Sequence, residues 1–257
     1  MRSVARVDAS KNIRLIIDPP LAGAVNMARD EALMVGVGRG QSPPTLRFYR
    51  WDPPTISLGY FQHYDDYQHL APPAGALAVV RRLTGGGAIL HDRELTYSLV
   101  LATADPMLSS GPNRLYEVAH DAVIEAASAA GITARRGGES DGSGAARGPF
   151  FCFARRHVHD VLIGSDKFAG SAQRRTRTAV LQHGSIILDA RFDQQPAVSL
   201  GLPNDDEGIQ PWVDRLTEAL GLRISRAIRP GDWSDQERAA ADELTAKYAG
   251  TEWTGRT

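Results

Sequence analysis

Arg81-Arg82-Leu83-Thr84-Gly85-Gly86-Gly87-Ala88-Ile89-Leu90-His91-Asp92 is the stretch from which the rest of the chain is best read. A strand-like run, Ala78 to Arg82, leads into three consecutive glycines. A turn without Cβ atoms lets backbone amides approach a ligand closely and makes positive φ available. The triplet also fits an ordinary turn. It lacks the Gly-Lys-Ser/Thr ending of a phosphate loop, and no G-x-G-x-x-G opens a helix after it, which disfavours those nucleotide folds. Its flanks, Arg82, Thr84 and His91, supply the polar groups that a recognition site needs.

Two more segments carry chemistry. In Asp160-Val161-Leu162-Ile163-Gly164-Ser165-Asp166-Lys167-Phe168-Ala169-Gly170-Ser171-Ala172-Gln173, a Gly-Ser-Asp turn joins two strand runs. Lys167 opens the returning strand, where a lysine reads as exposed. The small residues Gly170, Ser171 and Ala172 leave a slot for a ligand or another backbone. In Val180 to Leu188, polar residues interrupt an apolar strand, and His183 among them is either a satisfied core histidine or an acid–base group.

The only cysteine of the 257 residues, Cys152, lies in Phe150-Phe151-Cys152-Phe153, fifteen residues before Lys167. It is either a core residue or a nucleophile. One cysteine forms no internal disulfide and no multi-cysteine zinc site, so no metal site is expected and the default compartment is the cytoplasm. No run approaches the length of a membrane span. With a net charge of −1 the chain has no global field for nucleic acid. Arg174, Arg175 and Arg177 read as a solvated edge.

Further strands are expected at Ile13–Ile17, Leu46–Tyr49, Thr55–Leu58 and Leu95–Leu101, close enough in sequence to suggest a mixed sheet made of hairpins. Leu115, Val118, Ala119, Ala122, Val123 and Ala126 recur on one helical face, ending at Gly131. Helices are also predicted at Asn26–Val35, Trp212–Leu220 and Ser234–Tyr248, the last opened by a Ser234-x-x-Glu237 capping box. Residues 135–148 contain five glycines and two serines and read as a mobile loop, either a tolerated insertion or a lid or partner-docking loop.

Taken as an ordered set, these motifs resemble the biotin/lipoate protein ligase superfamily and its lipoyl-pathway octanoyltransferases. The likeness rests on Arg47 to Gln62, on Arg81 to Asp92 followed by Glu94-Leu95-Thr96-Tyr97-Ser98, on Lys167-x-Ala169-Gly170-Ser171-Ala172-Gln173, and on Gln182-His183-Gly184-Ser185. A weaker echo occurs at Lys247-Tyr248 and Glu252-Trp253. The resemblance implies an α+β fold, a mixed β-sheet with packed helices related to class II aminoacyl-tRNA synthetase and biotin ligase cores. One catalytic domain would span 1–257, with a motif core at about 26–189 and a helical part at 190–257.

Within that superfamily Cys152 points to the Bacillus-type octanoyltransferase branch, which needs a cysteine upstream of the lysine strand. The implied reaction moves an octanoyl group from octanoyl-acyl carrier protein to Cys152, then to a lysine of a lipoyl domain such as glycine cleavage H protein or a 2-oxoacid dehydrogenase E2 component. Lys167 would stabilise the thiolate and shuttle a proton. Arg82, Thr84, Gly85, Gly86, Gly87, His91, Gly170, Ser171, Ala172, Gln173 and His183 would bind substrate, with no ATP or other cofactor. The alternatives are an ATP-dependent lipoate ligase, if Cys152 is inert, an amidotransferase between lipoyl domains, and a binding module that keeps only the acyl slot.

Overall fold

The computed structural model describes residues 12–138 and 148–256. In chain order the elements are β1 (Asn12–Ile17), α1 (Gly23–Gly38), β2 (Thr45–Tyr49), β3 (Thr55–Leu58), α2 (Tyr64–Gln68), β4 (Ala78–Arg81), β5 (Ile89–His91), β6 (Glu94–Ala102), α3 (Arg114–Ala129), β7 (Arg135–Arg136), β8 (Val161–Ile163), β9 (Asp166–Arg175), β10 (Ala179–Ile187), α4 (Asp206–Ile224), β11 (Ala227–Pro230), α5 (Asp235–Ala249) and α6 (Thr251–Thr254). This is an α+β fold. Most of the expected loop lies in 139–147, outside the described residues, and its first two residues form β7 against β8.

The strands divide into two sheets. The large one has the order β11-β1-β2-β6-β10-β9-β8-β7, and the small one β4-β3-β5. Pairing is parallel from β11 through β2 and antiparallel from β2 to β7. Hairpins therefore build only β8, β9 and β10. The expected single sheet is replaced by two, because β3, β4 and β5 pair with one another instead of joining the strands before and after them.

Side-chain alternation along the large sheet creates two cores. Leu46, Phe48, Val180 and Ile186 face α3 and α4, while Tyr49 and Leu181 pack with Met27 and Leu33 of α1. The predicted apolar face of α3 is buried throughout. The α5 capping box forms as expected, Ser234 Oγ accepting from the Glu237 amide at 3.2 Å and the Glu237 carboxylate accepting from the Ser234 amide at 2.8 Å.

The seam between the sheets positions the cysteine. Phe151 is buried in a third core with Ile56, Leu58 and Leu90 of the small sheet and with Ala88 just before β5, whereas Phe153 belongs to the α3–α4 core. Cys152, between two anchors in different cores, is fixed at the junction, and its amide donates to the Ala88 carbonyl at 2.7 Å.

Candidate active site

A buried guanidinium shapes the glycine loop. Arg82 donates through Nε to Thr84 Oγ1 (3.1 Å), through Nη1 to the carbonyl and hydroxyl of Ser57 (2.8 and 3.1 Å), and through Nη2 to the carbonyls of Gly85 and Gly87 (2.7 Å each). All five donors are satisfied by neutral acceptors. Burial lowers its pKa to about 10, so it stays charged at neutral pH. Arg82 therefore clamps the loop, and it also lines the small cavity behind that loop. With two loop carbonyls turned onto Arg82, the amides of Gly85, Gly86 and Gly87 have no hydrogen-bond acceptor among the described residues. Gly86 adopts φ +93°, and a Cβ at Gly59 would lie 2.0 Å from the Gly86 carbonyl oxygen, so both positions require glycine.

Two carboxylate–imidazole–hydroxyl chains converge on Arg82. Glu94 Oε1 lies 2.7 Å from His91 Nδ1, and His91 Nε2 lies 2.7 Å from Ser57 Oγ. Asp30 Oδ2 lies 3.0 Å from His183 Nδ1, and His183 Nε2 lies 2.7 Å from Thr84 Oγ1. Each hydroxyl accepts from Arg82, so its proton points to the histidine, and each Nδ1–H points to a carboxylate. His91 is stacked on Trp51 with 3.7 Å between ring centres, and burial holds its pKa below the usual histidine value. Burial opposes ionisation of Asp30, but the His183 hydrogen bond and the Arg47 charge outweigh it and keep the carboxyl below the ordinary range. Both histidines orient neighbours instead of facing solvent.

Lys167 corrects the expectation of exposure: its side chain is only 3% exposed. The cause is a bulge. Val161 pairs with Ala169 but Leu162 pairs with Lys167, leaving Phe168 as an extra residue in β9. A bulge re-aims the side chains beside it, and Lys167 comes to lie against Gly170, where a Cβ would stand 2.6 Å from Lys167 Cε. The room at Gly170 is thus filled by the lysine. Its Nζ donates to Asp160 Oδ1 at 2.9 Å, to the Cys152 carbonyl at 3.3 Å and to Cys152 Sγ at 3.7 Å.

The glycine loop closes on the same point. A Cβ on Gly87 would lie 3.0 Å from the Cys152 amide nitrogen. Cys152, partly exposed, therefore has an ammonium on one side and unpaired amides on the other. Hydrogen-bond donors placed this way are suited to receiving a developing oxyanion.

Other predicted residues divide between the faces of β9. Ala172 faces the small cavity behind the glycine loop. Ser171 turns the other way, its Oγ 2.7 Å from Nε2 of His120 on α3. Gln173 bonds Gln182, which donates to the Tyr97 hydroxyl. Ser171 and Gln173 thus lie across the sheet from Arg82 and His183. The cavity, lined by Met27, Tyr49, Trp51, Ile89, His91, Ala172 and Gly184, measures ≈ 20 Å³. That volume admits a water molecule, so an acyl tail enters only when lining side chains move. A surface recess of ≈ 650 Å³ lies between Phe61, Gln62, His69, Phe150 and Arg155.

Asp160, Ser57, Glu94 and Asp30 were not singled out by sequence. Ser57 and Glu94 lie inside the motif segments at 47–62 and 94–98, and Asp160 is a carboxylate directly before the apolar run Val161-Leu162-Ile163, whereas Asp30 carries no signal beyond its place in a predicted helix. Among the described residues no cluster of three or more His, Cys, Asp or Glu is arranged to hold a metal ion, and no helix is long and apolar enough to cross a membrane.

Residues 22–217 match the family model described as the lipoyl protein ligase A/B catalytic domain. Among curated proteins, the chain is 36% identical to octanoyltransferase LipM of Kyrpidia tusciae, over 91% of this chain and 95% of the relative. It is 36% identical to octanoyltransferase LipM of Moorella thermoacetica, over 90% and 93%. Among solved structures, the putative lipoate protein ligase from T. acidophilum superposes with a TM-score of 0.76 at 23% identity, covering 95% of this chain and 99% of that one. Lipoate-protein ligase A bound with ATP gives 0.74 at 23% identity, over 94% and 98%. The structural matches speak for a shared fold.

Proposed function

Because the chain belongs to the lipoyl protein ligase A/B catalytic domain family, we propose that it is a protein octanoyltransferase of the lipoylation pathway working through an octanoyl-Cys152 thioester, with octanoyl-acyl carrier protein as donor and a lipoyl-domain lysine as acceptor. The observation that carries this reading is the placement of Cys152 Sγ 3.7 Å from Lys167 Nζ, beside the glycine amides that have no acceptor. The names of the relatives support the octanoyl group as cargo.

The steps balance around Lys167. The Cys152 thiolate attacks the donor carbonyl, forming one C–S bond, and the charge moves to the carbonyl oxygen. Amides of Gly85 to Gly87 stabilise that oxyanion, each such donor contributing about 2.7–4 kcal/mol in comparable sites. When the tetrahedral species collapses, the donor C–S bond breaks and the leaving thiolate takes a proton from the Lys167 ammonium. The acceptor amine then attacks octanoyl-Cys152, and Lys167, now neutral, removes its surplus proton. Breaking the Cys152–acyl bond regenerates thiolate and ammonium together. Asp160 holds Lys167 in place for both half-reactions. The donor thioester supplies the driving force, so ATP is unnecessary. The octanoyl tail extends into the cavity beside Trp51, Ile89 and Ala172 once those lining side chains move apart.

The test is a donor comparison. The protein is incubated with an apo lipoyl domain and either octanoyl-acyl carrier protein, octanoyl-lipoyl domain or octanoate with ATP, and the acceptor mass is followed. Octanoylation from the carrier protein without ATP is the expected result. Product formed only from octanoate with ATP would overturn the assignment, and preference for the octanoyl-lipoyl domain would replace the proposed donor.

A further inference from the structure

The mouth of the site carries an array of cations that the chemistry above leaves unused. Arg256 lies over the rings of Tyr60 and Trp253, with Cζ 3.8 and 4.1 Å from their centres, and Arg174 lies 5.0 Å from the centre of Tyr60. Arg177 is exposed in the adjoining β9–β10 turn. None of the three arginines forms an ion pair among the described residues. By contrast, Arg93, Arg191, Arg223 and Arg226 are each paired with a carboxylate. The two guanidiniums beside Tyr60 hold its hydroxyl below the usual tyrosine pKa, Arg256 contributing most. A guanidinium resting on an aromatic ring gives up rotamer freedom in advance; Arg256 uses Nη2 on the Tyr60 carbonyl at 3.3 Å and keeps its remaining N–H groups for contact with an anion.

The array is continuous with the site. The Tyr60 amide donates to the Thr84 carbonyl at 2.8 Å. Phe61, 72% exposed, has its ring 3.9 Å from where a Gly85 Cβ would stand, and Gly87 adjoins Cys152. An exposed aromatic beside arginines that have no carboxylate partner among the described residues has the composition of a protein-docking anchor.

We propose that Arg174, Arg177 and Arg256, with Phe61 at their edge, form the docking surface for an acidic acyl-carrier protein presenting its thioester on a phosphodiester-linked arm. The proposal rests on the reading of Cys152 as acyl acceptor. Charge chemistry selects the donor over the amine acceptor. A carrier brings carboxylates and a phosphodiester to the array, whereas the acceptor must introduce an amine, whose protonated form the same cations repel. Complementary charge mainly raises the encounter rate and suppresses wrong partners.

The experiment compares wild type with the R174E/R177E double variant. Affinity for unacylated carrier protein is measured by titration, and Cys152 acylation by intact mass with octanoyl-carrier protein and with octanoyl-pantetheine, which has neither protein nor phosphate. The variant is expected to lose about tenfold or more in carrier affinity and in acylation efficiency from the carrier, with a flattened salt dependence. Acylation from octanoyl-pantetheine and delivery from preformed octanoyl-enzyme to the lipoyl domain remain at wild-type rates, which also reports an intact fold. Equal carrier affinity in the two proteins would overturn the docking proposal, as would a defect confined to delivery. Absence of a Cys152 adduct from both thioesters in wild type would instead refute the acyl-enzyme reading, and the carrier titration would still decide the surface.

Discussion

The two halves of the site are built to opposite tolerances. In the cradle, Arg82 and the two histidine chains that tie it to Asp30 and Glu94 are buried and every guanidinium donor is used, with only Gly85 and Gly86 at the rim of the loop reaching solvent. Cys152 stands in a single 3-10 turn at the seam of two sheets, partly exposed. Under the proposed mechanism the difference separates preorganisation from reaction: the rigid half would fix where an oxyanion is received, and the accessible half would meet the two protein substrates in turn. Substitutions in the cradle should therefore appear as lost stability, and substitutions at the turn as lost chemistry.

The sharpest break of that contrast is Cys152→Ser. It should reduce octanoyl transfer by about three orders of magnitude or more while the melting temperature stays at the wild-type value, as measured by steady-state product formation and calorimetry. Arg82→Lys is the converse. A lysine offers three donors where five are used, so buried carbonyls and hydroxyls lose partners, and about 3 kcal/mol of unfolding free energy should disappear in a denaturant titration.

A third prediction concerns the far side of β9. Burial lowers the His120 pKa to about 3 from 6.5. The unfolded chain binds this proton at a higher pH than the folded one, so the contribution is complete above about pH 6.5 and declines as pH falls toward 3. At pH 5 the loss should be about 2 kcal/mol relative to neutral pH, and His120→Asn should remove that part of the slope in chemical denaturation. The smallest expected effect is that of Asp160→Asn. It keeps the shape but removes the charge opposite Lys167, and should slow both half-reactions about tenfold with a displaced pH–rate profile, which a purely structural defect would not produce.

Much of this organisation is legible in the sequence because local pattern and tertiary outcome agree. The helical face from Leu115 to Ala126 and the Ser234–Glu237 capping box are local rules obeyed locally. The short strands β5 and β11 are less visible, since three or four residues give too little periodicity and their pairing partners lie far away in sequence. Lys167 shows the limit most clearly. Alternation in a hairpin suggests exposure, and only the bulge at Phe168, a property of the pairing with β8, turns the lysine inward. Arg82 is similar: its motif marks it as important, but the acceptors that make it the clamp of the glycine loop come from Ser57 as well as from the loop itself. The partnership of Asp160 with Lys167 likewise depends on the turn that carries His157 to Asp160 back against β9.

A single-turnover chase follows the octanoyl group from donor to acceptor. Wild-type protein treated with octanoyl-acyl carrier protein is freed of donor, its adduct is located by peptide mass, and an apo lipoyl domain is added. Transfer through Cys152 predicts one octanoyl group on that residue, labile to hydroxylamine, whose loss matches in rate and amount the appearance of octanoyl-lysine on the lipoyl domain. An adduct that persists while the acceptor is modified, an adduct on another residue, or turnover by Cys152→Ser at the wild-type rate would contradict it.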